Sequence, residues 1–348
     1  MLLLRWGICG TGSICADFVD CLRLLSPDEH QVTAVGSRSL EKAQTFIIAH
    51  ELSQAEAFGN YQALLQCPDV DIIYVGVLNH LHEETVLATL EAGKHVLCEK
   101  PLGLNTQQVL RMLAAAKQHN RFLMEGYWTK LFPAYQEAKK LIRAGCIGQP
   151  RIFLADSSAT GLASFECRGG MLMATGCYLP MMALDIFGSS PSSVQAAGFK
   201  RNDVDDTACI TLSFPGNSLA QVTYSCSAST PRTASIGGTK GNIQLSDCVW
   251  CPTKLSVSTT SDGKKFEKRS LDFPPPDKRA LPFKHPQNPT GLVYEAMHVR
   301  ECIQKGLLES PEMSWNDSLR VVQVMDEIRT QLDVHYPIED LCNGTDKY

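Results

Sequence analysis

Arg5-Trp6-Gly7-Ile8-Cys9-Gly10-Thr11-Gly12-Ser13-Ile14 is the stretch on which the reading of the fold turns. Arg5 to Cys9 is a short apolar strand candidate and Gly10-Thr11-Gly12 a turn. Ile14, Phe18 and Leu22 then recur every four residues on one face of a helix. A strand, a glycine turn and a helix in this order let the backbone approach a diphosphate and aim helix N–H groups at it. Gly10, Gly12, Ser13 and Ile14 are therefore candidate dinucleotide contacts. The third place of the Gly-x-Gly-x-x-Gly pattern holds Cys15, with Ala16 after it. The plainer reading of the segment is an ordinary tight turn.

The same alternation continues downstream. Gln31 to Val35, Asp71 to Val75, His95 to Cys98 and Phe122 to Glu125 read as strands. Leu40 to Ala49, His82 to Ala92, Thr106 to His119 and Pro133 to Ala144 read as helices, with Gly93 as a stop signal. Repeated βα pairs predict a doubly wound parallel sheet over residues 1–125, covered by helices on both faces. After Gly148-Gln149-Pro150 the pattern changes to strands: Arg151 to Ala155, Ala208 to Phe214, Ala220 to Ser225, Ala234 to Gly237, Ile243 to Leu245 and Lys254 to Ser258. Gly216-Asn217 and Asp262-Gly263 mark hairpin turns, so this sheet is expected to be mostly antiparallel. One helix from about Met171 to Phe187 interrupts it. Helices near Gly291 to Lys305 and Trp315 to Leu332 follow a proline-rich loop over Phe273 to Pro289. The expected organisation is a dinucleotide-binding domain at 1–125, a second α/β domain at 126–340 and a tail at 341–348.

Composition narrows the class. The chain has 348 residues, 44% of them hydrophobic and 20% charged, with a net charge of −5. That supports two domains with real cores and gives no reason to expect nucleic acid. Leu2-Leu3-Leu4 is broken by Arg5, and no apolar run reaches membrane-spanning length, so neither a secretory signal nor a membrane partner is expected. The 14 cysteines are scattered through apolar segments. Reduced, packed thiols in a cytoplasmic protein fit that pattern better than a disulfide framework. Cys248-Val249-Trp250-Cys251 is a lone pair at metal spacing, read as packing or a turn; no metal is expected.

The second strand ends in Gly36-Ser37-Arg38, with Lys42 one helical turn on. An NAD site usually has a carboxylate there for the ribose hydroxyl. Two cations beside a short hydroxyl suit a 2′-phosphate instead, so NADP is the expected cofactor. The plainer reading is a solvated helix start. Farther on, Cys98-Glu99-Lys100-Pro101 closes a strand and would bring an ammonium group to the reacting end of a bound dinucleotide.

With these pieces in place the chain resembles the Gfo/Idh/MocA oxidoreductase family. The likeness runs through Arg5-Trp6-Gly7-Ile8, Asn79-His80-Leu81-His82, Ala92-Gly93-Lys94-His95 up to Pro101, Met124-Glu125, Trp128-Thr129, Val204-Asp205-Asp206-Thr207, Gly238-Thr239-Lys240-Gly241, Trp250-Cys251-Pro252-Thr253 and Tyr294-Glu295-Ala296. It implies a Rossmann domain followed by an α/β domain with an open sheet. It also implies a homodimer and oxidation of a small-molecule sugar such as D-xylose, or of a trans-dihydrodiol, with NADP. Lys100 matches the family's Glu-Lys-Pro lysine. Tyr178 matches a tyrosine assigned as acid/base in a dimeric branch of the family, where Arg38 and Lys42 align with two arginines. Asn79, His82 and Glu99 fall among residues expected near the cofactor.

The chemistry is coherent. Tyrosine, with an ordinary pKa of about 10, is a poor base at neutral pH until a nearby ammonium favours the phenolate. Lys100 can also donate to an oxygen as charge develops on it. On its residues alone Tyr178 also reads as a core tyrosine of an apolar helix, and Trp128 as either pocket wall or core. Two departures from the family point to another class, a non-catalytic NADP-binding sensor or scaffold. Ala174 stands where an aspartate is common, and Ser157 to Gly170 is short and altered, with Ser164-Phe165-Glu166-Cys167-Arg168 in it.

Overall fold

In the computed structural model, which describes residues 2–161, 169–246, 248–276, 281–285 and 287–336, the predicted alternation is present from the first strand. The elements are β1 (Leu4–Cys9), α1 (Ser13–Leu22), β2 (His30–Gly36), α2 (Leu40–Ala49), β3 (Glu56–Phe58), α3 (Tyr61–Leu65), β4 (Ile72–Val75), α4 (His82–Glu91), β5 (His95–Glu99), α5 (Thr106–His119) and β6 (Leu123–Gly126). The strands pair in parallel in the order β3-β2-β1-β4-β5-β6. All of β4 is buried, as a parallel strand covered on both faces must be. The strand order reverses between β1 and β4, so the crevice at their carboxyl ends is the place such a sheet offers a ligand.

The second half supplies α6 (Pro133–Arg143), β7 (Pro150–Asp156), α7 (Tyr178–Phe187), β8 (Ser193–Arg201), β9 (Val204–Phe214), β10 (Ser218–Ser225), β11 (Ala234–Gly238), β12 (Gly241–Ser246), β13 (Lys254–Thr259) and β14 (Glu267–Asp272). Their order is β14-β13-β12-β11-β7-β10-β9-β8, antiparallel except for β7 with β10. One face of this sheet buries Phe153, Ile210, Leu212, Val222, Ile236 and Ile243, with α7 packed against β7 and β10. The opposite face leaves Ile152, Leu154 and Leu219 more than two-fifths exposed.

The chain closes with α8 (Leu292–Gln304) and α9 (Trp315–Gln331). By its contacts it divides into two compact units, Met1–Trp128 with Pro275–Ser318 and Thr129–Pro274 with Leu319–Tyr348. The first unit thus takes up a second, distant stretch of chain. That stretch is stitched in by α8 against α1, by Cys21 Sγ donating to Pro289 O at 3.1 Å and by Trp315 Nε1 donating to Leu123 O at 3.0 Å. Among the described residues no helix is long and apolar enough to cross a membrane.

Two local differences from the expected elements have physical causes. The single helix expected over Met171–Phe187 is a π-helical turn, Leu172–Gly176, followed by α7. Pro180 lacks an N–H and clashes within a helix interior, so the regular helix starts only two residues before it, where the first turn tolerates proline. Strands β8 and β14 were not expected. They are the two edges of the second sheet, and their mostly exposed residues carry little apolar alternation.

Candidate active site

The glycine turn is built for close approach. Gly10 has φ +111°, and a Cβ there would lie 2.9 Å from Gly76 O, across the β1–β4 crevice. Cys15, in the third motif place, is buried against the same turn, its thiol 3.4 Å from Gly76 O and pushed up to about 12 by burial. It acts as a small apolar residue packing α1 on the sheet. The start of α1 differs from those of α2, α3 and α5. Ser39, Asn60 and Asn105 cap α2, α3 and α5 with side-chain oxygens, whereas α1 starts at Gly12 with no side-chain cap and no acidic residue in its first turn. Gly12 and Ser13 are exposed, Ile14 is half-buried, and a Cβ on Gly12 would meet nothing within 4 Å. Unsatisfied first-turn N–H groups facing open space fit an anionic diphosphate.

Arg38 and Lys42 lie just past the end of β2, both exposed, and neither forms an ion pair among the described residues. Ser37 is buried, its backbone N–H donating to Phe58 O at 3.0 Å, and Ser39 accepts from Lys42 N at 3.4 Å. No carboxylate stands at this strand end. Two exposed cations at this strand end fit the adenosine end of an anionic nicotinamide dinucleotide.

At the end of β5 the Glu99-Lys100-Pro101-Leu102 turn is held from several elements. Tyr74 O–H donates to Glu99 Oε1 at 2.6 Å, and the Lys100 backbone N–H to Glu99 Oε2 at 3.3 Å. Leu102 N–H donates to Glu125 Oε1 at 2.8 Å. His82 is fully buried at the start of α4, with Nδ1 2.9 Å from Pro101 O and Nε2 3.2 Å from Val77 O. Burial holds the ring down to about 4, so it is neutral and donates to one of the two carbonyls. The ring thus lies between the turn after β4 and the turn after β5 and bonds one of them at a time. Burial pushes Glu99 up, against the pull of the Lys100 ammonium. Asn79 is half-buried in the short 3₁₀ turn after β4, and Trp128 is buried at the first unit's boundary.

In the second unit Tyr178 is the first residue of α7 and is buried. Its ring stacks on Trp250 at 6.4 Å between centroids, and the Arg232 guanidinium lies 5.8 Å over the other ring of that pair. Thr129 Oγ1 donates to Trp250 O. The preceding π turn is closed by Cys177 N–H to Leu172 O at 2.7 Å, and its start is held by Asp205, which accepts from Leu172 N at 2.5 Å and from Tyr336 O–H at 3.2 Å. Ala174 is half-buried within that turn; residues 164–168 lie outside the described residues. Cys248 and Cys251 are buried in a turn, Cys251 N–H donating to Cys248 O at 2.8 Å. Among the described residues no group of three side chains could hold a metal.

The motifs therefore gather Gly10, Gly12, Ser13, Ile14, Arg38, Asn79, His82, Glu99 and Lys100 at the carboxyl ends of the first sheet's strands, while Tyr178 belongs to the second unit. Trp250, Arg232 and Asp205 were not anticipated as neighbours of the Tyr178 segment. The only signal for two of them was their presence in the family-like segments Trp250-Cys251-Pro252-Thr253 and Val204-Asp205-Asp206-Thr207.

This fold and site define an oxidoreductase with an NAD(P)-binding Rossmann domain. Residues 4–127 match the family model described as "Oxidoreductase family, NAD-binding Rossmann fold", and residues 135–244 match the GFO/IDH/MocA C-terminal domain. The chain belongs to the Gfo/Idh/MocA oxidoreductase family. It is 40% identical to trans-1,2-dihydrobenzene-1,2-diol dehydrogenase of Xenopus laevis over 340 residues, 96% of this chain and 99% of that one. Among solved structures, levoglucosan dehydrogenase in complex with NADH and levoglucosan superposes with a TM-score of 0.83 at 20% identity, covering 97% of this chain and 100% of that one, a likeness of fold alone. A 3-ketoreductase from Actinomadura kijaniata in complex with NADP gives 0.77 at 25% identity over 95% and 98%.

Proposed function

We propose that this oxidoreductase uses NADP to oxidise a trans-dihydrodiol or a sugar of the D-xylose kind, with Lys100 and Tyr178 as its acid–base pair. The observation that carries the reading is the Glu99-Lys100-Pro101 turn, whose residues on both sides of the lysine are pinned by buried polar groups. A surface lysine of no consequence needs no such support. The bound nicotinamide would supply the hydride acceptor. Gly10, Gly12, Ser13 and Ile14 would hold the diphosphate, and Arg38 and Lys42 the 2′-phosphate. The Lys100 ammonium would favour the Tyr178 phenolate and donate to the substrate oxygen, and that phenolate would take the hydroxyl proton and become the phenol. The dihydrodiol follows the name of the Xenopus relative, and the sugar follows the family resemblance set out above.

The test is a screen of the purified chain with NADP and with NAD against trans-dihydrodiols, pentoses and hexoses, read as nicotinamide reduction beside a titration of cofactor binding. Reduction of NADP by one of these classes supports the reading. Binding without turnover would support the non-catalytic alternative that Ala174 suggests. The exposed Ile152, Leu154 and Leu219 suit a homodimer formed through the open sheet face, and light scattering should return twice the monomer mass. The buried thiols of Cys9, Cys21 and Cys98, pushed up by burial, suit a reducing compartment, so a cytoplasmic location is proposed; fractionation of the tagged protein checks it.

A further inference from the structure

Asp17 lies one helical turn inside α1 and is fully buried. A carboxylate in a dry interior needs donors. Those of Asp17 come from one place far along the chain. Lys284 N–H donates to Oδ1 at 2.6 Å, His285 N–H donates to Oδ2 at 2.9 Å, and His285 Nδ1 lies 2.5 Å from Oδ2. The two backbone bonds alone would fasten this stretch to α1; the imidazole is an addition. Both carboxyl oxygens already accept, so the ring meets Asp17 as a donor and Nδ1 carries the proton. In the neutral ring that tautomer leaves Nε2 as an acceptor. The His285 side chain is 47% exposed although its partner is wholly buried.

The place of this ring in the first unit decides what it can meet. The candidate dinucleotide site crosses the strand ends in the order of the sheet: Arg38 and Lys42 after β2, the bare start of α1 after β1, and Lys100 after β5. Asp17 is about 6 Å along α1 from Ser13, at 1.5 Å of rise per residue. The chain that carries His285 leads from α1 towards β5. Cys21, one turn beyond Asp17 on the same face of α1, donates to Pro289 O at 3.1 Å. Farther on, Glu295 in α8 reaches the strand ends. A Cβ on Gly126 would lie 3.5 Å from Glu295 Oε1 and 3.5 Å from Glu99 Cα. Burial pushes Glu99 up, and His285 is among the groups close enough for their charge to oppose it. The imidazole therefore stands between the diphosphate position and Lys100, on the side away from Arg38.

We propose that Asp17 and His285 form a further cofactor contact, in which His285 Nε2 accepts a hydrogen bond from a hydroxyl of the nicotinamide ribose and Asp17 is the positioning residue that orients the ring. The inference rests on the dinucleotide site proposed at residues 10–14 and Lys100. The nicotinamide ribose is the hydroxyl-bearing group between the diphosphate and the reacting ring, so it falls where His285 stands. The carboxylate behind the imidazole serves two ends. It disfavours the other tautomer, in which Nε2 would carry the proton and could not accept. It also fixes the rotamer before the cofactor arrives, which lowers the ordering cost of binding.

Calorimetric titration of the full chain tests it without a substrate, using NADP and adenosine 2′,5′-bisphosphate, a fragment that lacks the nicotinamide ribose. His285→Ala and His285→Phe should each raise the Kd for NADP by about five- to ten-fold, the loss of one hydrogen bond, and leave the Kd for the fragment unchanged. Phenylalanine keeps the bulk of the ring and drops both nitrogens, so the two variants separate acceptance from packing. Wild-type NADP affinity in either variant overturns the contact. Equal weakening of both ligands also overturns it, since that is what a merely displaced chain would give. Asp17→Asn should lose a similar factor for NADP and none for the fragment, and combining it with His285→Ala should add little to the loss of His285→Ala alone. Losses that multiply overturn the positioning role of Asp17. A wild-type chain that binds neither NADP nor NAD would overturn the dinucleotide reading and this inference with it, whereas wild-type binding that His285→Ala leaves unchanged overturns this inference alone.

Discussion

Lys100 and Tyr178 are proposed to serve one reaction, yet the chain secures them by opposite means. Lys100 stands where β5 has run out of ladder partners. There the backbone is tied by side chains from three other elements: Tyr74 on β4 through Glu99, His82 on α4 to Pro101, and Glu125 on β6 to Leu102. Tyr178 begins a helix, where the backbone bonds to itself. A π turn closed by Cys177 and Leu172 leads into it, and one carboxylate, Asp205, sets where that turn starts. The difference teaches where buried polar side chains are needed. A strand end leaves its N–H and C=O groups to be satisfied by others, whereas a helix start leaves only its first few N–H groups.

The largest expected effects make the two residues equal in chemistry despite unequal support. Tyr178→Phe and Lys100→Met should each lower kcat by about 10²–10⁴-fold, while both proteins still bind NADP and melt close to wild type. The double variant should lose less than the product of the two, since each removes help from a group already gone. A fully active Tyr178→Phe protein would take Tyr178 out of the pair and leave the comparison with one member.

The supports should then separate. Asp205→Ala strands the Leu172 N–H and the Tyr336 phenol together, at a cost of roughly 3–6 kcal/mol for two bonds to a charged group. Tyr74→Phe removes one brace of several and should cost roughly 1.5 kcal/mol. Equal losses in chemical denaturation would break the contrast between a single and a distributed support.

Acid should strike one side only. Burial holds His30, His82 and His95 down to about 4, and all three lie in the first unit. A histidine lowered in the folded state leaves folding unaffected above its unfolded pKa of about 6.5 and weakens it as pH falls towards 4, by about 3 kcal/mol for a fully buried ring such as His82. Burial also raises Glu295 in the same unit, which opposes this loss, so amide hydrogen exchange of the Glu295→Gln variant between pH 6.5 and 4 should loosen the Lys100 turn before the π turn. Simultaneous loosening of both would show that the supports are not independent.

The smallest change touches neither support. Arg38→Ala should weaken NADP binding by roughly 1.5–3 kcal/mol and NAD binding far less, with kcat at saturating cofactor preserved. Equal losses for both cofactors in calorimetry would mean that Arg38 does not read the phosphate.

Much of this was legible from local pattern. The strand, glycine turn and helix at Leu4–Leu22, the buried run at Ile72–Val75 and the Gly216-Asn217 turn all depend on near neighbours in the chain. What escaped had little local signature. Strands β8 and β14 are edges whose exposed residues need no apolar alternation, and β3 and α3 span three and five residues. In the site, Asp205 and Trp250 stood inside segments marked only by family likeness. Their places depend on Leu172 and Tyr178, which lie far away along the chain.

By itself the sequence determined the parallel sheet, the bare helix start after Gly12, the cations at 38 and 42 and the lysine after β5. Periodicity, turn chemistry and the spacing of a motif are properties of neighbouring residues. Only the tertiary structure decided that His82 is neutral and set between two carbonyls, that Asp205 holds the turn ahead of Tyr178, and that Glu295 is buried with neither oxygen paired among the described residues. Protonation and support are set by which distant groups share a dry interior, and burial becomes defined only when the chain is folded.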